Sequence, residues 1–291
     1  MKKCIINRII HQNDEAVVGI VVTVLLIGLI LAVLVMVNTI YVPDWLEESE
    51  AAHMEEVSNQ FSKLKYALDL QSIINDTTSM TTYVTLGNKE IPFFDAGRTF
   101  GSLQIDEESF NITIEQWNGP TNTSSTDSIR YSSGNSYFIN QEYIFEAGAL
   151  ILAQGQANVL IGKPPLYLDS YGNKSTITFK LINISGVSGK TYVSGYGIYP
   201  IYTELLDIKP SYSNYTHFYN VSNITIETQY TNAWNKTLKS AFLNHLTSEH
   251  YNLTEYTDKI EIKLIDPSKD YYHIQLRTVN ILTQISGGIA E

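Results

Sequence analysis

From Ala16 to Val37 the chain runs for 22 residues without a charge, and Thr23 is the only side chain in that run with a polar atom. Coiled at about 1.5 Å per residue, the run extends roughly 33 Å, enough to cross a hydrocarbon core of about 30 Å. Sixteen of the 22 residues are Val, Ile or Leu. Each favours insertion by about 0.3 to 0.6 kcal/mol, so Gly19, Gly28 and Thr23 do not offset the gain. A core helix of a soluble protein normally keeps a polar stripe, and this run has none. It is expected to be a transmembrane helix over 16–42, with the lipid bilayer as partner along 16–37.

The flanks orient it. Lys2, Lys3 and Arg8 precede the span, whereas Asp44, Glu47, Glu48, Glu50, Glu55 and Glu56 follow it with no base until Lys63. The positive-inside rule then places residues 1–15 in the cytoplasm and everything after about Asn38 outside. A cleaved secretory signal fits less well, because its apolar region is usually about 7–15 residues and ends in a small-x-small site. The glycosylation sequon Asn-x-Ser/Thr points the same way. It occurs at Asn75, Asn111, Asn122, Asn173, Asn183, Asn214, Asn220, Asn223, Asn235 and Asn252, all beyond the span.

The whole chain has 291 residues and a net charge of −11. Without Lys2, Lys3, Arg8, Asp14 and Glu15, the part after residue 37 keeps 16 bases against 28 acids. Phosphate binding relies on clustered Lys and Arg, so no nucleic-acid partner is expected. The single Cys4 excludes a disulfide framework, and an outer domain must hold itself together by packing alone.

Pro43 should end or kink the spanning helix, with Asp44 as N-cap and Glu47 three residues on. Leu46, Met54, Val57, Phe61, Leu64 and Leu68 then recur at helical spacing, which predicts an amphipathic juxtamembrane helix over 43–74. Its apolar stripe needs cover, from the following domain or from like subunits.

Past Asn75 the period becomes two. Val84–Leu86, Leu103–Ile105, Phe110–Ile114 and Thr176–Leu181 read as half-buried antiparallel strands, with Ala147 to Gln154 as a central strand. Thr121 to Ser128 reads as a polar loop, Thr231 to Thr247 as a helix, and 259–264 with 272–276 as a hairpin around 266–270. The fold class is α+β: the N-terminal transmembrane helix and the amphipathic stalk helix, then a mainly antiparallel, sandwich-like β head over 75–291.

No catalytic motif stands out. The six histidines are scattered, and His245 with His250 lack a glutamate at metalloprotease spacing. Gly186-Val187-Ser188-Gly189-Lys190-Thr191 lacks the first glycine of a phosphate loop and reads as a turn. No catalytic, cofactor-binding or metal-ligating residue is expected, and no enzyme. Tyrosines cluster at Tyr192, Tyr196, Tyr199 and Tyr202, and again at Tyr212, Tyr215 and Tyr219. They suit half-buried strands or, where exposed, adhesive contact.

Asp14-Glu15-Ala16-Val17-Val18-Gly19-Ile20-Val21-Val22, a polar lead into a long aliphatic helix with an amphipathic continuation, resembles the N-terminal region of archaeal type IV pilin-like proteins. The resemblance implies a class III signal cut between Ala16 and Val17, after which the apolar helix stays as membrane anchor and, in true pilins, as filament core. The chain lacks the glutamate that bacterial pilins carry five residues into the mature helix. Pro43-Asp44-Trp45-Leu46, Ala52-His53-Met54-Glu55, Tyr143 to Leu150 and Tyr230-Thr231-Asn232-Ala233-Trp234 look like segments of an uncharacterised family of archaeal membrane-anchored surface proteins with the same start. The expected role is a glycosylated, pilin-like cell-surface protein for envelope structure, adhesion or pilus-related assembly, with other pilin-like subunits as partners through the N-terminal helices. The alternatives are a single-pass receptor or sensor ectodomain and an anchored surface hydrolase.

Overall fold

The computed structural model describes residues 2–74, 77–87, 99–171, 174–243, 250–265 and 272–285. The chain divides into two compact units, Met1–Ser49 and Glu50–Glu291. The first contains helix α1 (Lys2–Met36), a π-helical turn (Val37–Tyr41) and the opening of helix α2 (Val42–Ile74). Every residue from Val17 to Met36 is exposed, and the helix is long and apolar enough to cross a membrane. Its few polar side chains bond back along the helix: Thr23 Oγ1 donates to the Gly19 carbonyl at 2.8 Å, Asn38 Nδ2 to Leu34 at 3.0 Å and Thr39 Oγ1 to Val35 at 2.8 Å.

Pro43 does not end the helix. The Val42 amide bonds to the Val37 carbonyl, five residues back, and this wide turn sits where the proline ring would crowd an ordinary one. Asp44 therefore lies inside the first turn of α2 and does not begin a new helix.

The second unit starts with the rest of α2 and continues through β1 (Met80–Thr85), β2 (Phe100–Gln116), β3 (Thr121–Gly134), β4 (Glu142–Glu146), β5 (Ala149–Gln154), β6 (Ala157–Gly162), β7 (Leu166–Tyr171) and β8 (Lys174–Gly186). Then come β9 (Tyr192–Gly195), β10 (Ile198–Lys209), β11 (Thr216–Phe218), β12 (Val221–Glu227), helix α3 (Thr231–Leu243), β13 (Tyr251–Glu255), β14 (Lys259–Leu264) and β15 (Tyr272–Ile285). A six-stranded sheet has the order β1-β10-β15-β8-β7, with β11 beside β15. A nine-stranded sheet has the order β13-β14-β12-β2-β3-β4-β5-β6, with β9 beside β2. Pairing is antiparallel except between β8 and β15, which run parallel over Ser175–Gly186. This is an α+β chain: one long apolar N-terminal helix followed by a mostly antiparallel β domain.

Two apolar cores fill the second unit. One gathers Met54, Val57, Phe61, Leu64 and Leu68 of α2 with Val84, Ile201 and Ile281 of the smaller sheet and Leu103, Tyr131 and Phe145 of the larger. The stripe read from the sequence is thus covered by the β domain, with none of these five helix residues more than 2% exposed. The other core gathers Trp234, Leu238 and Phe242 of α3 with Phe110, Ile144, Phe179 and Ile262. Helix α3 is described as far as Leu243; the remainder of the expected helix lies outside the described residues.

Three strand readings are corrected. Thr121–Ser128 is no loop but the first half of β3, paired with β2 and linked across it by Thr113 and Thr123 hydroxyls 3.0 Å apart. Thr121 to Ser125 alternate between exposed and half-buried, and Thr126 and Ser128, though buried, are polar, so no apolar pattern marked it. The 259–264 and 272–276 segments form no hairpin: β14 pairs with β12 and β13, while β15 crosses to the other sheet and runs unbroken to Ile285. Ala147 belongs to a turn, with φ of 50° followed by 89° at Gly148, and Glu146 pairs directly with Ala149. Two consecutive positive φ values match a two-residue hairpin turn whose twist suits the strands. A Cβ on Gly148 would lie 2.6 Å from Pro165 Cδ. Gly148→Ala is expected to cost about 1–2 kcal/mol in urea unfolding.

Candidate functional site

The apolar face that β4 turns toward α3 becomes polar near its start. Glu142, Ile144 and Glu146 share this face, since β-strand side chains alternate. Beside Glu142, Arg130 of β3 is held at 2.7 Å from Asp106 of β2 and 3.5 Å from Glu142, and Ser132 donates to Glu142 at 2.9 Å. The Asp106 bond keeps the guanidinium firmly protonated. The β12–α3 connection lays Tyr230 over this ladder; burial pushes its phenol up, and the charges of Glu142 and Glu146 add to the effect.

These elements open a polar cleft of about 720 Å³. Glu142 and Glu255 supply carboxylates, Tyr230 and Tyr256 supply rings, and Gln156, Asn158, Gln229 and Asn232 supply amides. Asn158 also accepts the Ala233 amide at 2.7 Å, satisfying one of the open donors at the start of α3. Glu255 accepts from Asn235. Both carboxylates are thus already engaged by neighbouring side chains. Rings with paired donors and acceptors suit a polar, hydroxyl-rich ligand held by hydrogen bonds.

Behind the cleft Glu146 is fully buried. Its Oε1 accepts from Trp234 Nε1 at 2.7 Å and Thr228 Oγ1 at 2.8 Å, while Oε2 has no partner. Burial pushes this carboxyl up to about 7, against the pull of those two bonds. Neither Glu142 nor Glu146 was marked by the sequence, where they stand as single acids in an apolar stretch; a lone acid among Tyr, Ile and Phe is the only available hint.

The ten sequons are placed unevenly. Asn214, Asn220 and Asn252 are exposed, and Asn111, Asn122, Asn183 and Asn223 are half-buried on strands. Asn183 bonds to the Asp127 amide and to Asn280, both at 2.9 Å. Asn235 is buried at 4% exposure in α3. Asn75 and Asn173 lie outside the described residues. The Ala16–Val17 junction falls inside α1.

The tyrosine and histidine scatter partly condenses on the smaller sheet. His217 Nδ1 of β11 and His273 Nε2 of β15 are 2.8 Å apart, and Tyr219 stacks on His273 with centroids 4.6 Å apart. Arg277 lies 3.9 Å over the Tyr215 ring. The Ser188–Gly189 segment is a turn, with Gly189 at φ 75° and the Lys190 amide bonded to Val187. Among the described residues no three His, Cys, Asp or Glu side chains group as metal ligands. No family model matches the chain, and neither a curated protein nor a solved structure matches it at a significant level.

Proposed function

We propose that this is a single-pass membrane protein, pilin-like in its N-terminal region, that displays a sandwich-like β head outside the cell for envelope structure or adhesion. The uncovered aliphatic helix from Val17 to Met36 carries the reading, because about 30 Å of exposed Val, Ile and Leu needs the cover that a bilayer supplies. The rings of Tyr41 and Trp45, 6.2 Å apart at the end of the span, suit the headgroup layer. Lysines and an arginine before the span and sequons only beyond it favour an exterior head. The polar, tyrosine-lined cleft gives that head a place to hold a glycan.

Protease treatment of intact cells, alongside intact-mass and glycopeptide analysis of the membrane fraction from untreated cells, tests this. Digestion of the head without lysis is expected, together with a mature N-terminus at Val17 and glycan mass at Asn214, Asn220 or Asn252 but none at Asn235. A head protected until lysis would overturn the topology; a chain still beginning at Met1 would overturn pilin-type processing.

A further inference from the structure

A second groove, of about 510 Å³, adjoins the polar cleft and shares no lining residue with it. Three consecutive residues of β6, Val159 to Ile161, line it, as do three of β7, Leu166 to Leu168. Because neighbouring strand residues point to opposite faces, lining by consecutive residues places the groove along the strand edges, where backbone N–H and C=O groups are reachable. β6 ends the nine-stranded sheet and β7 ends the six-stranded sheet, and among the described residues each pairs with one strand only. Ala233, Thr237 and Ala241 of α3, at helical spacing, supply a third side.

The side chains are those of an interface left open. Val159 is 45% exposed, Ile161 43% and Tyr167 65%. The charged residues lining the groove are Lys163 and Lys236, in a chain of net charge −11. We infer that this groove is a strand-addition site: an extended segment of a partner protein, alternating apolar and acidic side chains, pairs with the free edge of β6 or β7, seats its apolar side chains in the groove and its carboxylates on Lys163 and Lys236. Main-chain bonds provide affinity in this mode and the pockets for alternate side chains provide selectivity. Lys163 and Lys236, the charged side chains that line the groove, select an acidic segment locally against the net negative charge of the chain.

The test uses the full chain in nanodiscs of zwitterionic phosphatidylcholine and a capped eight-residue peptide alternating Glu and Val, read by hydrogen-exchange mass spectrometry. Slowed exchange confined to segment 157–168 is expected. The exposed-site double variant Lys163→Glu with Lys236→Glu should weaken binding about ten-fold or more. A peptide with proline in place of every Val, lacking those amide donors, should not bind. No slowing at 157–168, equal binding by the proline peptide, or equal binding by a Lys-Val peptide would each overturn the site. So would protection by sodium dodecanoate where the peptide gives none, which would make the groove an acyl-chain site.

Discussion

Replacing Glu50 with alanine is expected to lower the stability of the β domain by about 3 kcal/mol. The side chain is 2% exposed, and its carboxylate accepts three consecutive amides: Ser136 at 3.0 Å, Tyr137 at 2.8 Å and Phe138 at 2.6 Å. Those residues belong to the connection between β3 and β4, which otherwise closes on itself through Asn140 and Ser133. Hydrogen bonds to a charged group are worth about 1.5–3 kcal/mol each in isolation, but Ser136 and Tyr137 are exposed, so water can replace part of what is lost. Glu50→Gln keeps acceptor oxygen without the charge and should cost about half as much. Urea unfolding of both variants reads the effect, and amide exchange at 135–141 should quicken in the alanine variant. A change below about 0.5 kcal/mol in Glu50→Ala would show that the carboxylate is incidental to the fold.

What the sequence made legible follows the strength of each physical demand. A run of about 20 residues without a charge is rare, so the long apolar helix from Val17 to Met36 stands out in one pass. The α2 stripe was equally plain, because Met54, Val57, Phe61, Leu64 and Leu68 recur at a period that only one face of a helix satisfies. Strand pairing was much less visible. Alternation reports burial, not partnership, so β3 was missed where Thr121 to Ser125 reach only half burial or less, and β14 was joined to β15 because they are neighbours in the chain. The parallel match of β15 with β8, about a hundred residues apart, leaves no local trace. The cleft was invisible for the same reason: Glu142, Tyr230 and Glu255 come from three separate strands or connections, and only the register of the nine-stranded sheet brings them together. Glu50 reads in the sequence as one acid among many after the span, and only its 2% exposure sets it apart.

The other large effect should come from Glu146→Gln, and its sign depends on pH. Burial raises the folded carboxyl to about 7 from an ordinary value of 4.5. The folded state therefore holds a proton that the unfolded state has already released between those values. The contribution of Glu146 to stability is complete below about pH 4.5, is lost as pH rises towards 7, and stays lost above that. Over that shift, at about 1.4 kcal/mol per pH unit, the loss reaches about 3.5 kcal/mol. Glutamine cannot ionise, yet its carbonyl can still accept from Trp234 and Thr228, so the variant should be more stable than the parent by about 2–3 kcal/mol at pH 8 and roughly equal to it near pH 5. For a domain of this size that is a gain of about 6–10 °C in Tm at the higher pH. His53 supplies the opposite slope: burial lowers its imidazole from 6.5, so its contribution is present above that value and is lost as pH falls below it. In the parent the two slopes oppose one another across the acid range; in Glu146→Gln the His53 slope is left without that opposition. Thermal unfolding at pH 5, 6, 7 and 8 separates them. A parent and variant that keep a constant difference across that range would mean that Glu146 is already ionised in the folded protein and that its Oε2 has found a partner.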